Sequence, residues 1–313
     1  MKLTIGVDIG GTKILAGVVD EQGTIIASCK VPTPEDSNKT ADAIAEAIRT
    51  VRGDHEIAAV GLGAAGFIDA DRATVLFAPN VSWENEPLKA RIEQRVGLPV
   101  VVENDANAAA WGEAKFGAAA GHDDVVVLTV GTGIGGGLIL GGRLYRGRFG
   151  IGGEPGHYRV VPDGRPCGCG NKGCFEQYAS GNALVRSARE RAAAAMGKAK
   201  ALLAFGDGTV AGIQGAHVTE AAQNGDSMAL AAFAEIADWL GQGMSDLAAM
   251  LDPSAFVLAG GVSEAGDLLR APAAEAYRRK LAGAGHRPYA QVLTATLGAD
   301  AGLIGAADLA RQP

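Results

Sequence analysis

The hydrophobic pattern opens with a short apolar run over residues 3–7 and a second over 14–19, separated by Asp8-Ile9-Gly10-Gly11-Thr12-Lys13. Apolar runs of this length, bounded by glycine, predict a strand hairpin rather than a helix. Asp20-Glu21-Gln22-Gly23 turns the chain into a third strand over 24–28, and 32–39 is expected as loop. Ile44, Ile48 and Val51 then recur at helical spacing. Residues 57–62 predict a strand, and Pro87, Leu88, Ile92, Val96 and Gly97 a helix with a proline start and a glycine stop. A strand over 100–103 runs into Asn104-Asp105, and 106–116 is expected as helix.

A second strand-rich stretch begins with 125–130, followed by the loop Gly131-Thr132-Gly133-Ile134-Gly135-Gly136-Gly137 and a strand over 138–140. Residues 150–173 show no period, so something other than secondary structure must shape them. Beyond them the pattern predicts two alanine-rich helices, 182–205 and 228–251, and a buried strand over 255–259 before Gly260-Gly261. A helix, a strand over 291–296 and a last helix over 301–310 close the chain. Strand, glycine loop, strand thus opens an α/β unit twice, and the expected fold class is α/β with two domains.

The bulk numbers sharpen this in two respects. At 313 residues and 48% hydrophobic, the chain can bury two cores. A net charge of -7 argues against a nucleic-acid partner, which needs a basic surface to displace phosphate counterions. Phosphates can still bind an acidic chain through backbone N–H groups and Mg²⁺. No apolar stretch reaches membrane-spanning length and no signal-like segment is visible, so a cytoplasmic protein with no membrane partner is expected.

Chemistry concentrates in the glycine loops and one cysteine cluster. Asp8, Gly10, Gly11, Thr12 and Lys13, then Thr132 and Gly133, then Gly260 and Gly261 are candidate phosphate-binding residues, with Asp8 suited to a Mg²⁺-bound water. Residues 61–66 and 131–136 both fit the dinucleotide pattern G-x-G-x-x-G. Apolar strand-like residues rather than a helix follow each, so a nicotinamide site is excluded, and no Walker A motif occurs. His157, Cys167, Cys169 and Cys174 suffice for a closed tetrahedral Zn²⁺ site. Asp105, at a strand-to-helix junction, reads either as a helix cap or as a carboxylate able to take a hydroxyl proton.

These residues together resemble the ROK family of sugar kinases and sugar-sensing repressors. The most specific part is Gly152-Gly153-Glu154-Pro155-Gly156-His157 leading to Cys167-Gly168-Cys169-Gly170-Asn171-Lys172-Gly173-Cys174-Phe175-Glu176; residues 160–166 and 177–181 are similar to the actinobacterial ATP-dependent glucokinases. The resemblance implies two actin-like (ribonuclease H-like) ATPase domains with a cleft between them, 1–117 plus 298–313 and 118–297, the second carrying structural zinc. It implies phosphorylation of glucose at the 6-hydroxyl by MgATP, with Asp105 as base and Gly66, Asn80, Asn104, Asp105, Glu154, His157 and Glu176 on the sugar. It also implies a homodimer or homotetramer. N-acetylglucosamine, N-acetylmannosamine, mannose or fructose are the alternative substrates. A repressor would carry a helix-turn-helix ahead of the hairpin, which here starts by Leu3. Loss of zinc is expected to impair the sugar site and to leave the ATP loops competent.

Overall fold

The computed structural model describes residues 2–34, 36–78 and 81–312. Two compact units emerge: Met1–Val126 with Gly136–Gly153 and Thr296–Pro313, and Val127–Gly135 with Glu154–Ala295. The chain runs through β1 (Leu3–Ile9), β2 (Lys13–Val19), β3 (Ile25–Pro32), α1 (Ser37–Arg52), β4 (Ile57–Ala64), β5 (Phe67–Ile68), β6 (Val75–Ala78), β7 (Trp83–Glu86), α2 (Leu88–Val96), β8 (Val100–Asn104) and α3 (Asp105–Lys115). It continues through β9 (Val125–Val130), β10 (Ile134–Leu140), β11 (Arg143–Tyr145), α4 (Glu176–Ala179), α5 (Gly181–Ala194), α6 (Lys200–Ala204) and α7 (Gly215–Gln223). Last come α8 (Ser227–Leu251), β12 (Ala255–Ala259), α9 (Asp267–Lys280), β13 (Gln291–Thr294) and α10 (Ala301–Leu309). Among the described residues, no helix is long and apolar enough to cross a membrane.

The first sheet has the order β3-β2-β1-β4-β8. The β1–β2 hairpin is antiparallel and pairs Asp8 with Leu15, while β4 lies parallel to β1 on its other side. Ile5, Val7, Ile14, Val60 and Leu62 are fully buried, which is why these strands read as continuous apolar runs rather than alternating ones. The last helix packs close on this sheet. A Cβ on Gly6 would lie 1.9 Å from Leu303 O, and one on Gly61 1.8 Å from Ala306 O, so only glycine admits the helix. A second sheet has the order β11-β10-β9-β12-β13, and a small antiparallel sheet β5-β6-β7 follows β4.

Several boundaries differ from the sequence expectation for physical reasons. The third strand extends to Pro32. It is a sheet edge, where a missing N–H costs nothing. Gly135-Gly136-Gly137 lies inside β10 rather than in a loop. A Cβ on Gly137 would come within 2.5 Å of Ala110 Cβ, so the glycine accommodates a helix rather than a turn. The helix expected over 182–205 is interrupted by a 3-10 turn, Met196–Lys198, with Ala195 leaving helical geometry just before Gly197. Phe67-Ile68 follows the first G-x-G-x-x-G run as a strand and β10 begins inside the second, so neither run opens a helix, as expected.

A buried carboxylate holds the returning chain in place. Glu113 of α3 is 1% exposed. It accepts from the backbone N–H groups of Thr296 (3.0 Å), Leu297 (2.8 Å) and Ala118 (2.9 Å). Glu113→Ala orphans these donors, and each costs about 1–3 kcal/mol. A fall in the urea midpoint with an unchanged m-value is therefore expected, and an unaltered midpoint would refute the assignment.

Candidate active site and metal centre

In the first unit, strand β8 delivers Asn104 and Asp105 to the start of α3. Asn104 is the helix cap: its Oδ1 accepts from Asn107 N at 3.0 Å. Its Nδ2 donates to Gly66 O at 3.1 Å, which brings two of the expected sugar residues together. Asp105 is the first helical residue, and its Oδ1 accepts from Ala106 N at 2.9 Å. The cap is thus supplied by Asn104, and the Asp105 carboxylate is left for other work.

Beneath this turn Glu103 is 1% exposed. Its Oε1 accepts from Asn104 N (2.9 Å) and Asn107 Nδ2 (3.1 Å). Its Oε2 lies 2.8 Å from Arg146 Nε and 3.3 Å from Arg72 Nε. Sequence reasoning missed this support, because its members are separated by dozens of residues and carry no motif.

Asp8 belongs to the same unit. Burial first, then the Asp105 carboxylate, pushes its pKa up to about 6, against the opposing pull of Lys13. Burial likewise raises Asp105, against the backbone N–H of Ala106. Two carboxylates that disfavour each other's charge fit a site that receives a cation. The adjoining loop is fastened at its base: Gly10 N donates to Lys13 O at 2.9 Å and Thr33 Oγ1 to Gly10 O at 2.7 Å. Gly11, Thr12 and Lys13 remain exposed. Asn80 lies outside the described residues.

A pH dependence follows. A carboxyl with a raised folded pKa stabilises the fold in acid, and that stability is lost as pH rises through the folded value, here about 6 for Asp8. Asp8→Asn is therefore expected to raise the melting temperature above that pH and to change it little in acid, while weakening MgATP use. Equal melting shifts at both ends of the range would contradict the assignment.

In the second unit, Gly131, Thr132, Gly261 and Val262 line a cavity of 910 Å³ together with Asn182 of α5 and Glu220 and Gln223 of α7. Gly131 O accepts from Gly181 N at 2.7 Å and Val130 O from Val262 N at 3.0 Å, so loop, helix start and the Gly260-Gly261 turn form one wall. The α5 and α7 residues were not anticipated. Helix α7 is only nine residues long, and no motif marks it.

The same unit holds the cysteine cluster. The ligand atoms of His157, Cys167, Cys169 and Cys174 lie within 4.8 Å of one another. Cys167 Sγ is 3.7 Å from His157 Nδ1 and Cys169 Sγ is 3.6 Å from Cys174 Sγ. A tetrahedral zinc with bonds of about 2.0–2.3 Å has ligand edges of about 3.5–3.8 Å, so the donor set fits that metal. Backbone bonds fold the segment round: Cys167 N donates to Asn171 O at 2.9 Å and Gly173 N to Arg165 O at 2.7 Å.

Glu176 links this cluster to the glycine loop. Cys167 Sγ donates to its Oε1 at 3.0 Å, and Ile134 N to its Oε2 at 3.4 Å. A Cβ on Gly133 would lie 2.4 Å from Glu176 Oε2, so Gly133 gives the carboxylate room. Glu154 is exposed beside the 3-10 turn Pro155–His157.

Residues 4–313 match the ROK family. Over 313 residues, 100% of this chain and 99% of the relative, the sequence is 58% identical to a glucokinase of Streptomyces coelicolor. The structure resembles the crystal structure of a ROK family glucokinase from Streptomyces griseus in complex with glucose and AMPPNP. That match has 60% identity and a TM-score of 0.89, over 99% of this chain and 100% of that one. It also resembles the crystal structure of a ROK hexokinase from Thermus thermophilus, at 37% identity and a TM-score of 0.83, over 99% and 98% of the two chains.

Proposed function

The chain belongs to the ROK family, and we infer that it is an ATP-dependent glucokinase, moving the γ-phosphoryl group of ATP to the 6-hydroxyl of D-glucose. The observation that carries this is the end-to-end likeness, at 60% identity, to a ROK glucokinase crystallised with glucose and AMPPNP. The fold is accordingly the two-domain, actin-like α/β kinase fold. The domain division that goes with the roles below is 1–117 plus 298–313 for one domain and 118–297 for the other.

Asp105 takes the proton of the attacking hydroxyl, and its burial-raised pKa makes it a better base than a solvated aspartate. Asn104, Gly66, Asn80, Glu154, His157 and Glu176 hold the remaining hydroxyls. His157 turns Nδ1 to the cysteines, which leaves Nε2 for the sugar. Gly10, Gly11, Thr12, Lys13, Thr132, Gly133, Gly260 and Gly261 hold the nucleotide phosphates, and the 910 Å³ cavity takes the nucleoside. Mg²⁺, held through Asp8, supplies charge neutralisation on those phosphates, and zinc supplies a fixed cross-link at His157, Cys167, Cys169 and Cys174. Phosphoryl transfer has a loose transition state, so what the chain contributes is mainly orientation.

On this reading the protein works in the cytoplasm as a homodimer or homotetramer. A coupled assay with ATP across glucose, mannose, fructose, N-acetylglucosamine and N-acetylmannosamine is expected to give its highest kcat/KM with glucose. A higher value for any other sugar would replace the substrate.

A further inference from the structure

Apart from the nucleoside cavity, the first unit contains a cavity of 650 Å³ whose lining is unusual for an acidic protein. Arg72, Lys89, Lys115 and Arg143 all reach it, from the β5–β6 turn, α2, α3 and β11, and among the described residues Asp71 is the only acidic one lining it. Trp111 forms part of the wall. Lys115 Nζ stands 4.6 Å from the centre of the Trp111 ring. Among the described residues, Lys89, Lys115 and Arg143 take part in no ion pair; Arg72 alone does, with Glu103. Four cations from four separate elements at one cavity repel one another, and an arrangement of this kind is stabilised by an anion bound among them.

The backbone adds a second observation. Arg72 has φ 54°, in the left-handed region that costs a residue with a Cβ about 1–2 kcal/mol. The turn is held there by Arg72 N donating to Asp69 O at 3.2 Å and by Val102 N donating to Arg72 O at 3.0 Å. Asp69 Oδ1 also accepts from Ala73 N at 2.8 Å. The strain places the Arg72 side chain, 25% exposed, at the cavity while its Nε stays on buried Glu103. Glu103 in turn accepts from Asn104 N, so the cavity and the turn carrying Asp105 share one arginine.

We propose that this cavity is a binding site for a small phosphorylated anion, distinct from the nucleotide and sugar sites. Carboxylates carry one charge, whereas a phosphoryl group carries up to two and presents three acceptor oxygens. That number suits two guanidinium forks and two ammonium groups lining one volume. The phosphoryl group arrives either as an inorganic phosphate species or on a sugar, and both satisfy the same donors.

The test is calorimetry on the full-length enzyme saturated with glucose and MgAMPPNP, so that the catalytic sites are filled. Tripolyphosphate and glucose 6-phosphate are titrated separately. Binding of one of them at one site per chain is expected, and which one binds identifies the source. Lys89→Gln/Arg143→Gln is expected to weaken that binding by about tenfold or more, with glucose phosphorylation unchanged. Lys30→Gln/Lys39→Gln removes the same net charge from elsewhere on the unit and should leave binding as in the wild type. Absence of binding by both ligands, equal affinity in the Lys89/Arg143 variant, or equal weakening in the Lys30/Lys39 control would each overturn the proposal.

Discussion

Asp105→Asn is expected to lower kcat by about 10²–10⁴-fold, the range typical of removing a general base. The substitution keeps the size of the side chain and can retain the bond from Ala106 N to the Oδ1 position. It also keeps the helix start, because the cap is Asn104 Oδ1 accepting from Asn107 N. What disappears is the negative charge. Two consequences separate this from simple damage. Glucose binding should weaken far less than turnover, since Asn104, Glu154, His157 and Glu176 are untouched. Asp8, whose carboxyl is pushed up in part by Asp105, should fall back toward its ordinary value. A variant slower in catalysis but at least as stable as the wild type near neutral pH is therefore expected. Near-normal kcat would show that Asp105 is structural, and a loss of melting temperature parallel to the loss of kcat would show that the turn had collapsed.

Much of this site is legible in the chain because its chemistry is local in sequence. Asn104-Asp105 stands where an apolar strand meets a helix, and three of the four cysteines crowd into eight positions. The glycine loops announce tight backbone before any coordinate is known. The limits appear where glycine has another purpose. Gly135, Gly136 and Gly137 read as loop but occupy a strand, because a helix passes too close to Gly137 for a side chain. The alanine-rich run after Asn182 reads as one helix, since alanine carries no period by which a break could be seen. The supports of the Asn104-Asp105 turn are least visible of all. Arg72, Glu103 and Arg146 meet only through the fold, and each looks like an ordinary surface charge in sequence. The same dispersal hides the basic cavity: no run of lysine or arginine marks it.

The second large effect concerns the metal. Cys169→Ser removes one of four ligands from a set whose spacing fits a closed tetrahedral site, and zinc should be lost. Cys169 is the exposed member, so the substitution leaves no buried hole. The α/β cores lie elsewhere, around residues such as Phe233, Phe256 and Ile5, and the chain should remain folded. Without the metal, burial first and then the Glu176 carboxylate favour the protonated Cys167 thiol. It then donates to Glu176 Oε1 at 3.0 Å, holding a carboxylate proposed to contact the sugar. His157 loses the bond that fixes its tautomer, so Nε2 is no longer a defined partner. The KM for glucose should therefore rise by about tenfold or more, in line with the loss seen when partners that orient a ligand are removed. The structure modifies the expectation that the ATP loops escape. Glu176 Oε2 also accepts from Ile134 N beside Gly133, so a smaller rise in the KM for ATP should accompany the larger one. Metal analysis counts zinc per chain, and separate titrations of glucose and AMPPNP read the two affinities. Wild-type glucose affinity in a zinc-free chain would show that the cluster does not shape the sugar site.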